Sequence, residues 1–155
     1  RTAYVHAPSE RQAQRLAGAL RAATVMASPV TNALATRWVT DGTAEAMLHA
    51  VRSASMARQA LAAQHLAKHG MVAQAEGFHL WLPLVSSWSV VEFASYLRTR
   101  GVGVVASAAF ATDGDPPDAV RVCLGGPMSL ADCDAGLRLI ADTLEHPRHP
   151  HATVM

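Results

Sequence analysis

Two periodicities divide this chain. Through the first 70 residues apolar side chains recur every three to four positions, the spacing of one helix face, while beyond Met71 segments of strict alternation mark strands. Thr2–Ala7 reads as a short strand stopped by Pro8. Ser9-Glu10-Arg11-Gln12 has the form of a helix-capping box, and Ala13, Leu16, Ala17 and Leu20 continue it as an apolar stripe. Ser28-Pro29 opens a second helix, serine capping and proline at the first position, with Val30, Leu34 and Trp38 on one face and Asp41-Gly42 as its stop. A third helix is predicted from Thr43 to His69, closed by Gly70, with Met47, Val51, Ala54, Arg58, Leu61 and His65 along one side. At about 27 residues it would be roughly 40 Å long, more than most helices of globular proteins.

The second half reads as strand, helix, strand, strand, helix. Phe78, Leu80, Leu82 and Leu84 alternate with His79, Trp81 and Pro83, which marks a half-buried strand with Pro83 near its end or on an edge. Trp88–Arg100 carries Val90, Val91, Ala94 and Leu97 as a helical stripe, and Gly101 stops it. Val102–Ala106 reads as a short buried strand and Asp113–Pro117 as a turn. Val120, Val122 and Leu124 alternate with Ala119, Arg121 and Cys123. Ser129-Leu130-Ala131-Asp132 then caps a last helix with Leu130, Cys133, Leu137, Ile140 and Leu144 in line. The expected class is α+β, a mainly antiparallel sheet covered on one side by helices.

Composition narrows the function classes. Half of the 155 residues are apolar and 16% are charged, a balance that suits a packed fold. Net charge is +1, so there is no electrostatic footprint for nucleic acid. The two cysteines, Cys123 and Cys133, are too few for a disulfide framework and fit a reducing cytoplasm. No apolar run reaches the roughly 18 to 20 residues of a membrane span, and no secretory signal is visible. Because the chain opens on Arg1 with a strand-like segment, it reads as a fragment.

Among candidate chemistries, Arg121 stands out. A guanidinium fixed by strand backbone can grip a carboxylate or phosphate through two parallel hydrogen bonds. The plainer alternative is an arginine on the exposed face of an edge strand, paired with Asp118 or a similar carboxylate. His65 and His69 have the i, i+4 spacing of zinc ligands but no third ligand beside them, so they read as an exposed helix end. The tail His146-Pro147-Arg148-His149-Pro150-His151 is broken by two prolines, and no metal site is expected there. Gly101-Val102-Gly103 is too short for a dinucleotide fingerprint, and Pro127 removes one donor from the Gly125-Gly126 turn. Phe110 reads as a core aromatic or as a pocket wall. The one lysine, Lys68, reads as a solvated surface residue.

The ordered set Gly77–Leu84, Trp88 and its helix, Arg100–Val105, Phe110 and Val120–Gly125 resembles the C-terminal part of fold-type-I pyridoxal-phosphate proteins, the aminotransferase group. Met26-Ala27-Ser28-Pro29 followed by Ala35–Ala44 is similar to MocR-type regulators of the GntR family, which join a DNA-binding winged helix to an aminotransferase-like domain. The resemblance covers roughly residues 1 to 145. It implies the end of a large cofactor domain over 1–42, a connecting helix over 43–70, a small C-terminal α+β domain over 71–145 and a tail over 146–155. It further implies that pyridoxal 5'-phosphate is held by a lysine upstream of this fragment, so that no residue here is catalytic and no cofactor is bound covalently to this chain. By the same resemblance Arg1 binds the cofactor phosphate in the parent protein, Ser28 and Thr31 approach the partner subunit's cofactor in a homodimer, and Arg121 binds the carboxylate of a small amino-acid or amine effector. DNA would be contacted only through a missing N-terminal domain, and no membrane is involved. A class I/II aminotransferase is the alternative parent, and a module for folding and dimerisation with no ligand of its own is the third reading.

Overall fold

The computed structural model describes residues 3–84, 87–126 and 128–146, which fall into two compact units divided between Ala50 and Val51. Arg1 lies outside the described residues, as does the histidine-rich tail beyond His146.

The first unit is helical. Helix α1 (Glu10–Thr24) is capped by Ser9, whose hydroxyl accepts the Gln12 amide at 3.4 Å. Helix α2 (Pro29–Thr40) is capped by Ser28, and the Asp41 carboxylate accepts the Thr43 amide at 3.0 Å, where α3 (Thr43–Leu66) begins. Hydrogen bonding from Thr43, its hydroxyl first and its amide second, holds the Asp41 carboxyl below its ordinary range. Neither α1 nor α2 buries a single residue, and the predicted stripe of Val30, Leu34 and Trp38 is exposed. Residues 3–7 form no strand, contrary to the sequence reading: a strand is held by a paired neighbour, and among the described residues none runs beside them.

The second unit holds the core. Its sheet has four strands, β1 (Val72–Ala73), β2 (His79–Pro83), β3 (Val105–Ala106) and β4 (Ala119–Cys123), in the order β1-β2-β4-β3, with every pair antiparallel. Leu80 and Leu82 of β2 and Val120 and Val122 of β4 are buried as the alternation predicts. They pack with Ala62 and Leu66 of α3, Phe93 and Leu97 of α4 (Val90–Arg98), and Leu137, Ile140 and Leu144 of α5 (Leu130–Glu145). Helix α5 starts with a reciprocal capping box, the Ser129 hydroxyl accepting the Asp132 amide while the Asp132 carboxylate accepts the Ser129 amide, each at 3.1 Å. Leu130, predicted as part of the buried stripe, is half exposed in the first turn, ahead of where the helix meets the core.

Three elements depart from the sequence reading. The buried face of α3 runs through Ser55, Gln59, Ala62 and Leu66, not the predicted Met47–His65 stripe, which amounts to a rotation of one residue or about 100°. The predicted side and the buried face each carry two polar residues, Arg58 and His65 against Ser55 and Gln59, so hydrophobicity alone does not choose between them. Strand β3 is two residues long where five were expected, since Gly101 turns the chain at φ 83° and the ladder with β4 begins only at Val105. Strand β1 is too short and too exposed to have left an alternating pattern. No helix of the described residues is long and apolar enough to cross a membrane.

Candidate functional site

Strand β4 is interior to the sheet, so Arg121 does not stand on an edge. The register sets Val72 beside Trp81, Trp81 beside Arg121 and Arg121 beside Val105, one row across all four strands on the face opposite the buried leucines and valines. Side chains directly opposite on neighbouring strands lie about 5 Å apart at Cβ and therefore touch. Phe110, just after the 3-10 turn Ser107–Ala109, completes the cluster. Its ring centroid is 4.6 Å from the Arg121 guanidinium carbon and 6.0 Å from the Trp81 ring, the two rings inclined at 66°. Phe110 is 44% exposed and so is no core aromatic.

The alternative reading, an edge-strand Arg121 paired with Asp118 or a similar carboxylate, is not met among the described residues. Among the described residues no carboxylate lies within ion-pairing distance of Arg121, and its Nε is shut off from solvent without a hydrogen-bond acceptor. A buried donor left unpaired costs about 1–3 kcal/mol, a cost that contact with an aromatic face offsets in part.

Two polar residues of α3 fix the strands beneath this row, and neither was singled out by sequence. Arg58 donates to the carbonyls of Leu124 at 2.6 Å, Gly126 at 3.3 Å and Met128 at 2.8 Å, closing the loop that leaves β4. Gln59 donates to the carbonyls of Gly77 and His79 at 2.9 and 3.1 Å where β2 begins. The Leu124 amide to the Phe78 carbonyl, 2.6 Å, joins the two ends. Nothing in a helical pattern distinguishes a polar residue turned toward solvent from one turned toward unpaired carbonyls, so these roles carried no sequence signal. Arg58 also counters, in part, the burial that pushes the Cys133 thiol upward.

Other candidates resolve differently. His65 and His69 are not an exposed helix end: their side chains are 21% and 16% exposed. His65 Nε2 is 2.7 Å from Asp134, which also accepts from Arg138 at 2.7 Å, because α5 packs along this end of α3. That commits His65 to a carboxylate, and no cluster of three or more metal-ligating side chains exists among the described residues. A cavity of about 240 Å³ beside Gly103, Cys123, Met128 and Cys133 is mostly apolar, and its carboxylate, Asp132, is engaged in the α5 cap. Ser28 and Thr31 belong to the first unit, where Ser28 caps α2 and the Thr31 hydroxyl donates to its carbonyl at 3.1 Å.

The fit of pyridoxal phosphate to this chain turns on Lys68. A Schiff base needs a lysine free to react. The Lys68 ammonium is instead paired with Glu145, whose carboxyl it holds below the usual range, and that carboxylate would repel a phosphate dianion. Lys68, committed to Glu145, therefore does not fit the role of the cofactor lysine.

No protein family matches the chain, and no curated protein matches it. Two solved structures are similar. An archaeal alanine:glyoxylate aminotransferase shares 22% identity at a TM-score of 0.50, over 59% of this chain and 24% of that one. An aspartate aminotransferase from Rhodobacter sphaeroides shares 22% identity at a TM-score of 0.48, over 67% of this chain and 25% of that one. The chain thus spans about a quarter of the length of either. The first likeness shows the fold: an α+β unit with a small antiparallel sheet, as in aminotransferases.

Proposed function

We propose that the chain is the C-terminal part of an aminotransferase-like protein, and that Arg121 grips the carboxylate of a small amino compound on the open face of the sheet. One observation carries the reading. Arg121 stands on an interior strand with no acidic partner among the described residues and with one donor cut off from water and unpaired. A planar cation so placed matches a carboxylate with two parallel hydrogen bonds. The likeness in fold to an alanine:glyoxylate aminotransferase supports the assignment of the parent.

For the parent we favour a MocR-type regulator, on the sequence segments Met26–Pro29 and Ala35–Ala44. There pyridoxal phosphate, held by an upstream lysine, would supply the recognition of amino compounds. Arg1 would hold its phosphate, Ser28 and Thr31 would face the partner subunit's cofactor in a cytoplasmic homodimer, and a separate N-terminal domain would contact DNA. The fold likeness serves equally a class I/II aminotransferase, in which Arg121 orients an amino acid. A winged-helix sequence upstream in the reading frame selects the regulator, and a cofactor-lysine loop without it selects the enzyme.

The carboxylate grip is tested on this chain directly. Titration with acetate, followed by amide chemical shifts, is expected to move resonances of β2 and β4. Arg121→Gln should weaken binding at least tenfold, the scale of a charged bidentate hydrogen bond, with Arg121→Lys between the two. Equal affinity in the wild type and Arg121→Gln overturns the reading.

A further inference from the structure

We propose that Trp81 and Phe110 make the Arg121 site selective for carboxylates borne on a planar aromatic body. The inference rests on the reading of Arg121 as a carboxylate grip and adds the class of compound that the grip admits. The Arg121 guanidinium carbon lies over the Phe110 ring at 4.6 Å from its centroid, and because the N–H groups of a guanidinium donate in its own plane, an acceptor approaches along an edge of the fork. Trp81 stands against Phe110 in an edge-to-face arrangement at 6.0 Å and neighbours Arg121 across the strands. A carboxylate entering along that edge carries its body past two rings. Phe110 is 44% exposed and Trp81 only partly covered, so both keep apolar surface in water that a ligand ring would take up.

The rest of the row sharpens the class. Val72 and Val105 finish it on either side, and Arg121 is its one charged member. A second carboxylate on the ligand would find no cation in the row. A short aliphatic acid would reach the guanidinium and leave the rings wet. The acid that uses every member has one carboxylate and one ring.

The test compares phenylacetate with acetate on the wild-type chain and on Phe110→Leu, Trp81→Leu and Arg121→Gln. Phenylacetate is expected to bind about three- to tenfold tighter than acetate, the size of one aromatic contact, and the ratio should fall toward one in both leucine variants. Helical circular dichroism and the thermal midpoint of each variant establish that it is folded; the exposure of Phe110 makes its leucine variant the safer of the two. Equal affinity for the two acids in the wild type, with both lost in Arg121→Gln, overturns the aromatic preference and leaves the carboxylate grip standing. So does a ratio that survives both leucine substitutions. If neither acid binds, or if Arg121→Gln binds both as well as the wild type, the grip fails and the preference with it.

Discussion

Arg58 and Arg121 have the same side chain and opposite circumstances. Arg58 spends its donors on three carbonyls of the loop after β4, while Arg121 engages no acceptor among the described residues and rests on Phe110. The first is a positioning residue and the second a candidate binding residue, a distinction drawn by the acceptors in reach. Arg58→Met keeps the length and apolar stem of the side chain but strands those carbonyls. It is expected to cost about 2–3 kcal/mol, read as a lower urea midpoint at unchanged slope, because hydrogen bonds from a charged donor are worth more than neutral ones. A loss below 0.5 kcal/mol would mean that water replaces the guanidinium without penalty, as it does at ordinary surface sites.

At the scale of elements, α5 is fastened by acids. Its start holds Asp132 in the capping box, its middle sets Asp134 against His65 and Arg138, and its end sets Glu145 against Lys68. The Ser129 hydroxyl, the His65 ring and the Lys68 ammonium respectively are the chief reasons that these three carboxyls lie below their ordinary range. A carboxyl depressed in the folded state contributes stability that is complete above its unfolded value, about 4, and is lost as the pH falls through the folded value. The second unit should therefore lose denaturant resistance below about pH 4, with little change between pH 5 and 7 on account of these groups. Asp134→Asn should flatten part of that acid limb, as urea melts at pH 3, 5 and 7 would read. All three carboxyls are solvent-accessible, so each contribution is small and screened by salt.

For the whole molecule, the contrast between the two units decides where stability lies. Among the described residues every buried one belongs to the second unit, whereas α1 and α2, of 15 and 12 residues, bury none. Helices of that length are marginal in water without a covering surface. Hydrogen exchange is expected to show slow amides in β2, β4 and α5 and far faster ones throughout α1 and α2. Comparable protection in both units would show that the first has a stabilising partner.

Alternation was enough to place Arg121 opposite Val120 and Val122, to bury Leu80 and Leu82, and to mark the capped starts of α2 and α5, because these depend on spacings within a few residues. The sequence by itself thus determined the local elements, the α+β class and the face from which Arg121 projects. It did not reveal β1, the shortness of β3, the true buried face of α3, or the company that Arg121 keeps. Those depend on what lies across the sheet or beneath the helix: two-residue strands exist only through their pairing, and Gln59 is buried only because carbonyls of β2 await it. Only the tertiary structure brought Trp81 and Phe110, 40 and 11 positions away, against one guanidinium, because strand register and the turn after β3 are settled by packing at long range.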